Sequence, residues 1–207
     1  MAKKIFVTGV GTEIGKTFCS AIICEALAAD YWKPLQAGNL EDLDSLWVRD
    51  FVSNKNIVLH TERYLLSEPM SPHAAARLDG VDISLDDFEP PETDNTLIIE
   101  GAGGLMVPLN DKGDMIIDLI PRISDETILI SMNYLGSINH TLLSVEVLKQ
   151  RGIAIKGIIF NGDPNIETEE VILSNTGVPC LGRIPMADSD LKEFIHEQAM
   201  KIRSNLL

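Results

Sequence analysis

The chain reads as an α/β protein with a doubly wound, mainly parallel sheet and helices on both faces. Three observations predict this. An apolar run at 5–7 turns through a glycine-bearing loop into Gly15-Lys16-Thr17 and at once into a helical pattern. From residue 96 onward short aliphatic runs alternate with helical patterns, and repeated β-then-α units imply right-handed crossovers. Aromatic residues make up only 5% of the chain, so the candidate strands are aliphatic, which suits a sheet covered on both sides. With 207 residues, 45% of them hydrophobic, the chain is of ordinary size for one domain spanning 1–207. No internal repeat, low-complexity tract or linker interrupts it.

Taken in order, the first helix is expected over 16–29, with Phe18, Ile22, Ile23 and Leu27 as its apolar face and Cys19 and Cys24 as packing residues. A short second strand is predicted over 32–36, with Lys33 near its end and Gly38 as punctuation. Residues 41–52 suit a helix through Leu43, Leu46, Trp47 and Phe51, and one of Asp42, Asp44 and Asp50 could face a metal. A short strand is expected at 57–59, a helix beginning near Pro72, and a loop at Pro90-Pro91. Residues 96–99 form a strand that delivers Glu100 to a glycine turn. Strands then follow at 127–132, 155–160 and 180–184, and helices at 136–151, 167–175 and 189–205.

A net charge of −14 repels nucleic acid and anionic membrane, so neither is an expected partner. It also makes ATP an awkward ligand unless positive charge is gathered locally, which singles out Lys16 and Lys33. The three cysteines lack metal-ligand spacing and read as reduced thiols. Met1-Ala2-Lys3-Lys4 looks like the basic start of a signal peptide, but the apolar run stops at Thr8 in a glycine turn. A cytoplasmic protein is expected.

Residues 4–18 have the layout of a phosphate-binding loop. Backbone N–H groups turn inward around an anion, Lys16 supplies a point charge, and Thr17 offers a hydroxyl to magnesium. The helix then puts its positive end under the phosphates. Five residues separate Gly9 from Gly15, one more than the usual spacing. Glu100, an acid at the carboxyl end of a buried strand, is placed where such enzymes hold magnesium. The residues alone therefore point to magnesium–ATP chemistry and leave the phosphoryl acceptor open.

The sequence resembles the dethiobiotin synthetases. The motifs are F-V-T-G-V-G-T-E-I-G-K-T (6–17), K-P-L-Q-A-G (33–38), D-S-L (44–46), E-P-M-S-P-H (68–73), E-G-A-G-G-L-M-V-P-L (100–109), L-G-S-I-N-H-T-L-L (135–143), I-I-F-N (158–161) and G-R-I-P (182–185). That family's glycine loop carries the same extra residue. The resemblance implies ATP-dependent ring closure of 7,8-diaminononanoate with carbon dioxide or bicarbonate, through a carbamate and a carbamic-phosphoric anhydride, in a homodimer. It implies catalytic roles for Lys33, Lys16 and Thr12. It places Thr17, Asp44 and Glu100 on magnesium, with Asp42 two residues from the middle acid. ATP would contact Glu13, Ile14, Gly15, Lys16, Thr17, Phe18, Asp44, Glu100, Gly101, Ala102 and Gly103, with Asn161, Gly162, Ile184, Pro185 and Met186 around adenine. Substrate would meet Ala37, where the family commonly has a hydroxyl residue, and Ser71, Val107 and Pro108. Gly136, Ser137 and Asn139 would hold the tail carboxylate of the partner's substrate. Rival readings are another P-loop amide-forming ligase, and a partition- or septum-type switch ATPase. The latter carries an extra lysine at the start of the loop, where this chain has Gly9 and Val10. The blandest rival is a nucleotide-binding protein without catalysis.

Overall fold

The computed structural model describes residues 2–188 and 190–207. Among these, seven strands form one sheet: β1 (Lys4–Gly9), β2 (Asp30–Trp32), β4 (Leu59–His60), β6 (Leu97–Gly104), β7 (Glu126–Met132), β8 (Ile155–Asn161) and β9 (Cys180–Ile184). Every pairing is parallel, in the order β4-β2-β6-β1-β7-β8-β9. The expected doubly wound sheet is therefore present. β1 lies at its centre, with Val7 in register with both Glu100 of β6 and Ile128 of β7. The loop after β1 and the acid of β6 thus emerge side by side at the carboxyl ends, where open α/β sheets place their ligands.

Three helices cover one face: α1 (Lys16–Leu27), α2 (Asp44–Phe51) and α7 (Leu191–Leu206). The other face is packed by α4 (Ile116–Ile123), α5 (Ser137–Gln150) and α6 (Ile166–Thr176). α1 is buried on more than one side, and Cys19 and Cys24 pack as expected. Cys19, Ala21, Ile22, Ile23 and Cys24 are all inaccessible, because α7 and α2 close over the side that the sheet leaves free.

Several boundaries differ from the sequence reading. The strand expected over 32–36 is broken at Pro34, which has no N–H to give a ladder. Its first part is β2. Its second part, β3 (Leu35–Ala37), leaves the main sheet and pairs in parallel with β5 (Tyr64–Leu66). Beside this pair lies α3 (Pro72–Asp79), which begins on proline as expected. The strand predicted at 57–59 forms instead at 59–60, as β4. The second helix begins at Asp44 rather than 41. β6 continues through its glycines to Gly104 instead of turning after Glu100. α4 was not anticipated, since Pro121 lies inside it; Asp118 accepts the Met115 N–H at 2.9 Å to close its first turn. The final helix begins at Leu191, and Ser189, its expected start, lies outside the described residues.

Candidate active site

The loop between β1 and α1 is shaped by two close approaches. At Gly9, a Cβ atom would come within 2.3 Å of the Ile14 side chain, which folds back over the strand end. That return accounts for a glycine one position earlier than usual. Gly15 has φ +82° and caps α1, and a Cβ there would lie 2.2 Å from Nδ2 of Asn161. Glu13, at φ +57°, adopts a left-handed turn without being glycine. α1 has no side-chain cap at its start. Its first N–H groups are therefore available to an anion, with the positive end of the helix dipole behind them.

Four elements bring charged groups together at this point. Lys16, the first residue of α1, is 7% exposed, and its Nζ donates to the Gly11 carbonyl at 2.9 Å. Lys33, just past β2, is equally buried; its Nζ donates to Glu100 Oε1 at 3.1 Å and to Asp44, the first residue of α2. Thr17 Oγ1 donates to the same Glu100 oxygen at 2.8 Å. Tyr31 OH donates to the other, Oε2, at 2.8 Å. Burial lowers the Lys16 ammonium to about 8; Glu100 opposes that shift and Lys33 adds to it. Burial alone would push the Glu100 carboxyl up, but Lys33, the Tyr31 hydroxyl, Lys16 and Thr17 together hold it below the usual range. Two ammonium groups thus stand over one ionised, fully buried carboxylate in a protein of net charge −14.

These groups open onto a cleft of about 800 Å³. It is lined by many residues expected in the site: Thr12, Glu13, Gly15, Lys16, Thr17, Phe18, Lys33, Ala37, Asp44, Ser71, Glu100, Ala102, Gly103 and Val107. Of the two nearby acids, Asp44 enters the cleft and pairs with Lys33, whereas Asp42 is exposed. Ile14 and Gly101 do not line it. Ile14 is buried in the core, and Gly101 faces the opposite side of the sheet against the Phe6 ring, because side chains alternate along β6. Pro108 lies just behind the wall, its carbonyl accepting the His73 N–H at 3.2 Å.

The expected adenine residues lie apart from this cleft, at the ends of β8 and β9. Asn161 Nδ2 donates to the Ile14 carbonyl at 2.9 Å and so braces the phosphate loop. The Gly162 N–H donates to Ile184 at 2.8 Å, and Pro185 and the exposed Met186 follow that strand. Gly136, Ser137 and Asn139 start α5, also outside the cleft. Ser137 is 1% exposed, and its hydroxyl has no partner among the described residues.

Sequence reasoning missed several wall residues, Trp47, Gln36 and Met70 among them. Trp47 was read only as part of an apolar helical face. It stands one turn past Asp44 and meets Phe18 edge-on at 6.1 Å at the mouth. Gln36 and Met70 line the opposite wall through the β3–β5 excursion, which had no legible signal. Tyr31 reads as an ordinary strand residue, and only the strand order shows what its hydroxyl reaches.

The chain is 52% identical over 206 residues to the ATP-dependent dethiobiotin synthetase BioD of Christiangramia forsetii, covering 100% of this chain and 99% of that one. It belongs to the dethiobiotin synthetase family. The Cytophaga hutchinsonii synthetase is 48% identical over 204 residues, covering 98% of each chain. An AAA-domain family model matches residues 3–192. Among solved structures, the septum site-determining protein MinD with Mg-ADP from Pyrococcus horikoshii aligns over 100% of this chain and 94% of its own, with a TM-score of 0.59 and 18% identity. A ParA-family ATPase from Chlorobium tepidum aligns over 99% and 97%, with a TM-score of 0.53 and 15% identity. These two likenesses concern the fold alone. The synthetase family, not the switch ATPases, shares this chain's sequence across its whole length.

Proposed function

We propose that the chain, as one P-loop ligase domain over 1–207, closes the ureido ring of dethiobiotin from 7,8-diaminononanoate, carbon dioxide and ATP. The observation that carries this is the convergence of Lys16 and Lys33, both buried, on a cleft floored by the phosphate loop and Glu100. The reaction joins a carbamate anion to a polyanion, so concentrated positive charge is what the chemistry needs. One amine of the substrate takes up carbon dioxide. A carbamate oxygen attacks the terminal phosphorus and ADP departs. The second amine then attacks the carbonyl carbon of the mixed anhydride, phosphate leaves, and the ring closes.

Lys16 stabilises charge on the transferred phosphoryl group. Lys33 holds the carbamate beside it, and Thr12 contacts the same anion. Thr17, Asp44 and Glu100 are hard oxygen donors at one end of the cleft and fit magnesium. A magnesium ion bound there supplies charge neutralisation at the phosphate oxygens. Ser71, Ala37 and Val107 line the wall for the diamine, and Asn161 with residues 184–186 borders the nucleotide base. Gly136, Ser137 and Asn139 receive a carboxylate from a second subunit's substrate, a reading supported by the partnerless Ser137 hydroxyl at a helix start. Leu135 and Leu143, both exposed, flank that position and suit a dimer contact. The free cysteines fit a reduced cytoplasm.

The test is product formation. Purified protein given diaminononanoate, bicarbonate and magnesium–ATP should yield dethiobiotin and ADP in equal amounts. ATP hydrolysis indifferent to the diamine would refute the proposal. Lys16→Gln and Lys33→Gln should each lower turnover by about two to three orders of magnitude, the scale of losing one electrostatic donor.

A further inference from the structure

Tyr31 has no part in the roles described so far. It lies on β2 in register with Ile98 of β6, two residues before Glu100. Its side chain is fully buried on the α1 side of the sheet. From there its hydroxyl reaches up the sheet and donates to Glu100 Oε2 at 2.8 Å. The other oxygen, Oε1, accepts from Thr17 at 2.8 Å and from Lys33 at 3.1 Å. The carboxylate is therefore divided. One oxygen is tied to the protein interior, and one is turned toward the groups of the cleft.

A carboxylate's last torsion is broad and nearly two-fold, so burial alone does not fix which oxygen faces out. We infer that Tyr31 is a positioning residue that locks Glu100 with Oε1 toward the metal and phosphate side of the cleft. Removing the phenolic oxygen leaves Oε2 buried without its donor, and an ionised oxygen in that state seeks another. The donors within reach are Lys33 and Thr17. Sharing them between both oxygens rotates the carboxylate and takes Oε1 out of the orientation in which it faces the cleft. A phenol facing a carboxylate oxygen at 2.8 Å serves as its donor. The inference rests on the reading of Glu100 as a magnesium-side acid.

The test uses the full chain as wild type, Tyr31→Phe and Glu100→Gln. Mn²⁺ affinity in the presence of ADP is read from the electron paramagnetic resonance signal of the free ion, and ADP affinity is measured separately in EDTA. Tyr31→Phe should bind Mn²⁺ about tenfold more weakly or worse, the scale seen for groups that orient metal ligands, with ADP affinity in EDTA within about twofold of wild type. Its kcat should fall with the diamine KM unchanged. If Glu100→Gln weakens Mn²⁺ binding and Tyr31→Phe does not, the positioning role is overturned while the reading of Glu100 stands. If Glu100→Gln binds Mn²⁺ like wild type, the reading itself fails and takes the inference with it. A second measurement needs no variant at position 31. In protein labelled with 3-fluorotyrosine, the Tyr31 resonance, assigned by subtracting Tyr64→Phe and Tyr134→Phe, should shift when Mg²⁺ and ADP are added. An unmoved resonance overturns the inference.

Discussion

Replacing Lys33 by methionine should abolish turnover and yet make the free protein bind a divalent ion more tightly. In the structure the Lys33 ammonium already occupies the space between two proposed magnesium acids, 3.1 Å from Glu100 and paired with Asp44. An ion arriving there must first displace it. At an effective dielectric of about 20, one such contact at this distance is worth roughly 5 kcal/mol before desolvation is subtracted. A net value near that of one charged hydrogen bond, about 1.5–3 kcal/mol, is the sounder figure. Methionine keeps the stem and removes the competitor, so affinity should rise at least about tenfold. At saturating Mg²⁺ a tenfold gain adds about 1.4 kcal/mol of ligand stabilisation. For a chain of this length that is an extra Tm increase of about 3–6 °C over the wild-type response. Without the ion, the variant should be less stable than wild type, since two acids then lack their shared cation. Thermal melts of both proteins with EDTA and with Mg²⁺ decide the matter. A variant whose Mg²⁺ response is no larger than that of wild type would show that Lys33 and the metal do not share these oxygens.

Nucleotide affinity should weaken as pH rises past about 8, where the free protein's Lys16 gives up its proton. The unfolded chain keeps that proton up to its ordinary value of 10.5, so the same group makes folding more favourable with pH between these limits while binding declines. Calorimetry in two buffers should show proton uptake on ADP binding in this window, and Lys16→Arg, which does not titrate, should show none. Gly15→Ala should cost about 2–3 kcal/mol, from left-handed strain at φ +82° and the collision with Asn161, and urea melts read it directly. Light scattering should report a dimer, with Leu135→Asp shifting it toward monomer; a fully active monomer would overturn the shared carboxylate site.

The stretches legible in the sequence were those with a local signal. β1, its loop and α1 were readable because an apolar run, glycines at tight approaches and Lys16-Thr17 follow one another within fifteen residues. Asn161 and Glu100 were readable as strand-end polar residues, each closing an aliphatic run. What escaped depends on contacts distant in sequence. The strand expected over 32–36 ran through Pro34, and nothing nearby shows that the chain breaks there and leaves the main sheet to pair with residues 64–66. Pro121 masks α4, whose five buried apolar residues stand only because the sheet is there to receive them. Asp42 and Asp44 are indistinguishable as letters; the start of α2 turns one toward Lys33 and leaves the other in water. The split of the Glu100 oxygens between Tyr31 and Thr17 requires β2 to lie beside β6, which strand order alone determines.

The excursion through β3 and β5 has one more consequence. The phosphate-handling groups hang on β1, β2 and β6 of the main sheet, whereas Ala37, Met70 and Ser71 belong to the side layer built from β3, β5 and α3. The wall that faces the organic molecule is thus bolted to a separate bracket. Relatives could re-tailor that bracket for a longer or bulkier guest while the engine that spends the nucleotide keeps its alignment.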